Sequence, residues 1–313
     1  MHEQWVARGA FRGERAGGLA TGPGTLYRYQ RLMAYLFLAP ALILFLVFVI
    51  LPAAIALFLS LTSYDIVSTL RWVGLANYQR LLGDEIFFLT LRNMAYYALV
   101  FVPAMVILSL LLALALNRPV PGMRVFRTLY YLPMITSSVA ASTVWVWLLQ
   151  KDYGLVNQVL ALFGIVGPAW LANSDTAMLA VVVVTLWQGL GGNIIIYLAG
   201  LQGIPPVLYE AAVLDGANAW QSFRYVTWPS LRNTTFFVST MSLIGAFQLF
   251  DQAFVMTGGG PGQATLTTVF YIYQVGFQQL RMGYASALAF VLFLIILAVS
   301  LVNMRVNRET TLA

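Results

Sequence analysis

The chain has 313 residues, 60% of them hydrophobic and only 9% charged, with a mean hydropathy of +0.81. Soluble globular domains carry about 25% charged residues, so this chain has too little charge to cover a surface facing water, and the bilayer is its expected solvent. The net charge of +6 sits beside apolar runs instead of forming a patch, which argues against nucleic acid as a partner.

No cysteine is present, which excludes disulfides, thiolate metal sites and a cysteine nucleophile. The single histidine is His2, outside the apolar body, so neither a Ser-His-Asp triad nor a histidine metal site can be assembled there. The single lysine, Lys151, follows Gln150 and precedes Asp152, so no G-x-x-x-x-G-K-[ST] phosphate loop exists. The chain is expected to be no enzyme and to hold no cofactor. Any ATP and Mg would be bound by another chain.

Residues 1–32 carry Arg8, Arg12, Arg15, Arg28 and Arg31 among several glycines and read as a cytoplasmic tail, the charged region being too long for a signal peptide. A span needs about 20 apolar residues to cross a hydrocarbon core of about 30 Å. Six stretches qualify: Met33–Leu61, Met94–Leu116, Leu129–Leu149, Met178–Leu198, Thr235–Phe254 and Ala285–Val306. Backbone groups in lipid must be paired within the segment, and barrel-type alternation is missing, so the spans are expected to be helical. The expectation is an all-α membrane protein with a six-span domain over 33–306 and a short C-terminal tail, 307–313.

Orientation follows from the cations in the connecting segments. With the N-terminus inside, the inner segments hold the five tail arginines, Arg118, Arg124, Arg127, Arg224, Arg232, Arg305 and Arg308, twelve of the 17 lysines and arginines. The outer segments hold Arg71, Arg80, Arg92, Lys151 and Arg281. Both termini are therefore expected on the cytoplasmic side. Trp72, Trp145, Trp147 and Trp170 near outer boundaries read as interfacial anchors, and Pro40, Pro52 and Pro133 as kinks or helix boundaries.

Between the fourth and fifth spans, the segment 201–232 is long for a connector. Pro206 suits a helix start and Gly216 a helix end, giving a short helix, a turn at Gly216 and a second short helix ending before Pro229. Read alone, this is a surface helical hairpin.

Glu210, Ala211 and Ala212, then Gly216 after three residues, then Val226, Trp228 and Pro229 resemble the signature of ABC importer permeases written E-A-A, three residues, G, nine residues, I-x-L-P. Val226 replaces isoleucine and Trp228 stands where leucine is usual. Trp72–Tyr78, Tyr131-Leu132-Pro133 and Thr257–Pro261 are similar to carbohydrate importer permeases of the maltose type. The resemblance implies the type I ABC importer permease fold in a prokaryotic plasma (inner) membrane. It also implies a complex with a second related permease in a heterodimer, two ATPase subunits and an external solute-binding protein. It makes the stretch Glu210, Ala211, Ala212, Asp215 and Gly216, with Pro229, the element that docks in the ATPase. The small alanines would allow close approach, and Glu210 would offer a charge to a basic partner.

Polar residues inside spans favour a bundle interior or a wet cavity. Thr185, Gln188, Gly189 and Gly192 recur at i, i+3, i+4 and i+7 on one face of the fourth span. Ser242, Gly245, Gln248 and Gln252 occupy one arc of the fifth. These faces are either walls of a solute path or small and polar surfaces for helix packing. The resemblance places the family's sugar-contacting regions on them. Asp251 is assigned helix packing or gating ahead of solute contact, and Ser137, Ser138 and Ser142 packing or bonds to their own backbone. No arginine or lysine lies on either face, and a buried phosphate would call for one. A neutral mono-, di- or oligosaccharide is thus favoured over a glycerol phosphate. An ion-driven carrier, the other alternative, would usually place titratable groups at mid-membrane.

Overall fold

The computed structural model describes residues 23–65, 69–117 and 122–309. His2, Arg8, Arg12, Arg15, Arg118 and the last four residues lie outside the described residues. Two compact units divide between Ile55 and Ala56.

In the first unit, α1 (Pro23–Phe45) begins ten residues before the apolar run, because proline is accepted in a first helical turn, where no N–H donor is needed. A π-helical turn, Leu46–Ile50, leads into α2 (Leu51–Ser60), within which the division falls. The wider turn accommodates Pro52, which has no N–H to give.

In the second unit a two-residue strand β1 (Thr62–Ser63) pairs antiparallel with β2 (Arg71–Trp72). The short helix α3 (Ala76–Leu82) follows. Asn77 Nδ2 donates to the carbonyls of Ser60 (2.8 Å) and Thr62 (2.9 Å), satisfying groups left open where α2 ends. Next come α4 (Glu85–Leu116), α5 (Met123–Ile135), α6 (Ser138–Leu148), α7 (Leu155–Leu162) and α8 (Ser174–Gln202). The chain continues through α9 (Pro206–Leu214), α10 (Ala219–Ser222), α11 (Trp228–Ser230), α12 (Arg232–Phe247), α13 (Thr268–Tyr273) and α14 (Met282–Glu309).

Four helices among the described residues are long and apolar enough to cross a membrane: Met33–Ser60, Glu85–Leu116, Ser174–Gln202 and Met282–Arg305. The third predicted span is not one straight helix. It is bent by 100° between the helical stretches Val125–Ile135 and Ser138–Leu148, where Thr136 and Ser137 leave helical geometry and the Thr136 hydroxyl donates back to the Pro133 carbonyl at 2.6 Å. The fifth predicted span is also interrupted. Helix α12 stops at Phe247, and the Leu249 carbonyl beyond it accepts from Thr267 Oγ1 at 2.8 Å. A π-turn, Ala253–Thr257, then leads into the glycine-rich loop.

Helices α4 and α8 form the centre of the second unit. Tyr97, Phe101 and Met105 of α4 pack with Val181 and Val184 of α8 and Ala246 of α12. One level along, Leu110 and Ala113 meet Ile194, Tyr197 and Val238. Helix α5 lies against α8 at Gly191, where a Cβ would fall 2.3 Å from the Tyr130 carbonyl oxygen, so the missing side chain is what lets the backbones approach.

At the start of α4, Asp84 caps the helix by accepting from the N–H groups of Ile86 and Phe87. Its second oxygen accepts from the hydroxyls of Tyr271 (2.7 Å) and Tyr284 (2.5 Å), tying together α4, α13 and α14. Burial opposes the charge on Asp84, but these hydroxyls and amides outweigh it and hold the carboxyl below the usual carboxylate range.

Candidate functional site

A cavity of about 350 Å³ lies between α4, α5, α8 and α12. Thr185, Gln188, Gly189 and Asn193 of α8 face Ser242, Gly245 and Met241 of α12, and Tyr97, Phe101 and Met105 of α4 with Met134 of α5 close it. Gly245 has nothing within 4 Å of where a Cβ would stand, so its bare backbone widens the space. Five of the eight residues predicted for this face are thus brought together: Thr185, Gln188, Gly189, Ser242 and Gly245.

The remaining three are placed elsewhere. Gly192 serves packing, since a Cβ there would lie 2.9 Å from Met134 Sδ. Gln248 is exposed at the C-cap of α12, and Gln252 lies past the interruption, so neither shares a helical arc with Ser242. Gln252 nonetheless reaches the site, donating from Nε2 to Gln188 Oε1 at 3.0 Å. Gln188 Nε2 in turn donates to the Thr136 carbonyl at 3.2 Å. Ser138 Oγ donates to the Asp251 carboxylate, so Ser138 bonds to another element and not to its own helix. The bend between α5 and α6, the middle of α8 and the break after α12 are therefore joined by one polar chain.

The wall sets five hydrogen-bonding side chains among apolar surface and carries no ionised group. Tyr97, stacked on Phe101 with ring centroids 5.1 Å apart, directs its hydroxyl to the Thr185 side chain. Ser242 Oγ is buried and has no hydrogen-bond partner among the described residues, a group that buried sites rarely leave unsatisfied. Hydroxyl, amide and aromatic groups around an uncharged space can hydrogen-bond and stack on a neutral polyol, whereas an anion would find no cation. Asn193 was readable as a polar residue mid-span, four positions after Gly189. Tyr97, Phe101 and Met105 were not, because an i, i+4, i+8 apolar face looks the same whether it lines a core or a cavity.

A second candidate element is the hairpin of α9 and α10. Helix α9 ends in a Schellman motif: Ala217 N–H donates to the Ala212 carbonyl (2.9 Å) and Gly216 N–H to that of Val213 (3.0 Å). Gly216 adopts φ +78°, a left-handed value that glycine takes without steric cost. Asn218 and Gln221 then form a reciprocal capping box on α10, and Tyr209 meets Thr227 Oγ1 at 2.9 Å across the hairpin. Glu210, Ala211, Asp215, Gly216 and Pro229 are exposed and Ala212 half-buried, with Val213, Leu214, Trp220 and Tyr225 exposed beside them. The second helix does not end before Pro229. A π-turn, Phe223–Thr227, carries it on into α11, and Pro229 sits in that helix's first turn, where its missing N–H costs little.

Residues 96–311 match the family described as "Binding-protein-dependent transport system inner membrane component". The chain belongs to this family. It is a multi-pass inner-membrane component of an ABC transporter, a permease subunit. The permease is similar to the arabinooligosaccharides transport system permease protein AraP of Halalkalibacterium halodurans, 38% identical with 90% of this chain and 89% of the relative covered. It is also similar to the sn-glycerol-3-phosphate transport system permease protein UgpA of Agrobacterium fabrum, 32% identical over 88% of this chain and 94% of the relative. Among solved structures, a chain of the bacterial alginate ABC transporter in complex with its alginate pentasaccharide-bound periplasmic protein superposes with a TM-score of 0.80, covering 91% of this permease and 97% of that chain at 24% identity. The similarity extends the shared fold well beyond the matched family region.

Proposed function

We propose that the permease forms part of the membrane path of an ATP-driven importer for a neutral sugar, delivered by an external solute-binding protein. The observation that carries the sugar assignment is the cavity wall of Tyr97, Thr185, Gln188, Asn193 and Ser242, which holds hydrogen-bonding groups and no ionised side chain. Greater identity to the arabinooligosaccharide permease than to the glycerol phosphate permease supports it. The latter relative favours a second reading, a glycerol phosphate path, in which the phosphate would need a cation from the partner permease.

In this reading the chain crosses the membrane six times over 33–306, counting the bent α5–α6 pair as one crossing and α12 with the segment after it as another. Twelve of 17 lysines and arginines then lie on the cytoplasmic side with both termini. A second permease completes a heterodimer. Two ATPase subunits bind ATP and Mg, and the exposed hairpin over 201–232 enters a cleft in one of them through Glu210, Ala211, Ala212, Asp215 and Gly216. Its capped, cross-bonded geometry makes it a stiff lever that moves α8 and α12 as the ATPases close. Thr185, Gln188, Gly189, Ser242 and Gly245 meet the solute. Gly192 gives α8 its close packing beside them, and Gln252 and Gln248 lie toward the outer mouth.

Co-expression with its complex and reconstitution in liposomes tests this directly: an ATPase should co-purify, and sugar uptake should require ATP. Uptake by the permease without an ATPase, driven by an ion gradient, would refute it.

A further inference from the structure

Helix α7 and the turn after it have an outward face that the transport path does not use. Leu155, Val159, Leu162 and Val166 are spaced at i, i+4, i+7 and i+11 and are all exposed, Leu162 at 83% and Val166 at 96%, with Phe163 and Ile165 exposed beside them. The helix closes in a Schellman motif, with Gly164 at φ +72° and Ile165 N–H donating to the Leu160 carbonyl at 3.1 Å. That geometry holds Ile165 and Val166 next to the helix instead of letting them trail away. The opposite face is fixed to the protein, with Val156 packed against the central core together with Trp145, Trp170 and Leu171.

Two properties of this segment identify what covers it. From Gly154 to Asn173 there is no charged residue, although charges resume on both sides at Lys151, Asp152 and Asp175. The polar side chains of α7 are also consumed internally. Asn157 Nδ2 donates to the carbonyls of Lys151 and Pro168, Asn157 Oδ1 accepts from Trp170 Nε1 at 2.6 Å, and Gln158 Nε2 donates to the Tyr153 carbonyl. The stripe itself is uncharged and apolar, with Lys151 and Asp152 in the groove beside Ile165 and Val166.

We propose that α7 and the turn through Val166 lie in the interface of the outer lipid leaflet, with Leu155, Val159, Leu162 and Val166 among the upper acyl chains. The placement rests on the topology given above, in which the segment joins the outer ends of α6 and α8. Those helices bracket it at Leu148 and Ser174, which holds it at the membrane surface, and exposed Trp147 and Tyr153 flank it as interfacial aromatics do. Interfacial helices usually present a charged face to water, whereas here the polar side chains of α7, Asn157 and Gln158, bond to the protein's own backbone and to Trp170.

The absence of native cysteine makes the test direct. Nitroxide labels on Leu162→Cys, Val166→Cys and Asp152→Cys in the full chain, reconstituted in phosphatidylcholine liposomes, report collisions with O2, which concentrates in lipid, and with the water-soluble nickel complex Ni-EDDA. Leu162 and Val166 labels should collide more with O2 than with Ni-EDDA, and the Asp152 label the reverse. Ni-EDDA access at Leu162 and Val166 equal to that at Asp152 would overturn the proposal. So would dipolar broadening between labels on two copies, which would assign the stripe to a second permease. A membrane-impermeant maleimide on intact cells separates the two readings. If Asp152→Cys reacts only after permeabilisation, the topology fails and the outer-leaflet placement with it, even where the O2 result shows lipid contact.

Discussion

Gly216 ends α9 in a left-handed conformation, with nothing within 4 Å of where a Cβ would point. A substitution there therefore meets no steric obstacle among the described residues, and its cost is the backbone conformation alone, about 1–2 kcal/mol for an ordinary L-residue. Asparagine, which tolerates this region, should cost least, alanine more, and β-branched valine most. Because about 1.4 kcal/mol is tenfold in an equilibrium, Gly216→Ala should shift the equilibrium between correctly turned and unturned hairpin by roughly tenfold, and Gly216→Val by more. The assay is ATP-dependent uptake by the reconstituted complex, measured beside membrane insertion of each variant. The expected order of activity is wild type, Asn, Ala, Val, with all variants inserted. Normal uptake by Gly216→Val would refute the coupling assignment. Equal loss in all three would refute the conformational reasoning, because it would make side-chain volume at the docking face the cause.

Asp84→Ala removes a helix cap and the acceptor for two tyrosines, and should destabilise the detergent-solubilised protein by about 1 kcal/mol or more, read by thermal unfolding. Since the folded carboxyl is held below its ordinary value, its contribution is complete above the usual carboxylate range and disappears as pH falls through the lowered value. Asp84→Asn, which keeps a cap, should lose less and should lack that acid dependence. Gly191→Ala forces a Cβ onto the Tyr130 carbonyl and should separate α5 from α8 at a cost of roughly 1–3 kcal/mol, lowering the unfolding temperature, whereas Gly245→Ala, facing open space, should leave it unchanged. For topology, Ala219→Cys should be protected from an impermeant thiol reagent in intact cells and Asp152→Cys labelled. The reverse pattern would invert the orientation.

The parts of this fold written in local interactions were legible. The long apolar runs of α4, α8 and α14 exceed what a soluble core uses, and the turn at Gly216 is set by six successive residues, Ala212 to Ala217, so motif spacing sufficed for both. The interruptions were not legible, because they depend on partners far along the chain. The stretch after Phe247 is as apolar as the helix before it, and α12 stops where Thr267 supplies a hydrogen bond to Leu249. Pro133 marked a boundary near the bend at Thr136, but the 100° angle is sustained by Gln188, 52 residues away. Treating the fifth span as one helix put Gln248 and Gln252 on the wall with Ser242. Thr185, Gln188 and Gly189 share one face, as their spacing implies, because α8 is continuous. Tyr97 and Phe101 carried no polar periodicity, and only the packing of α4 against α8 reveals that they face open space.

A path built for uncharged hydroxylated solutes should show itself in uptake by proteoliposomes holding the complete complex, with labelled neutral oligosaccharide and glycerol phosphate supplied side by side. Gln188 is the informative residue, because it lines the cavity and also links Gln252 to the bend at Thr136. ATP-dependent uptake of the neutral sugar is expected, at least several-fold weaker in Gln188→Ala, where a hydrogen bond worth about 1 kcal/mol is lost, with ATP hydrolysis retained. Uptake of glycerol phosphate alone, or neutral-sugar uptake indifferent to Gln188→Ala, would contradict it.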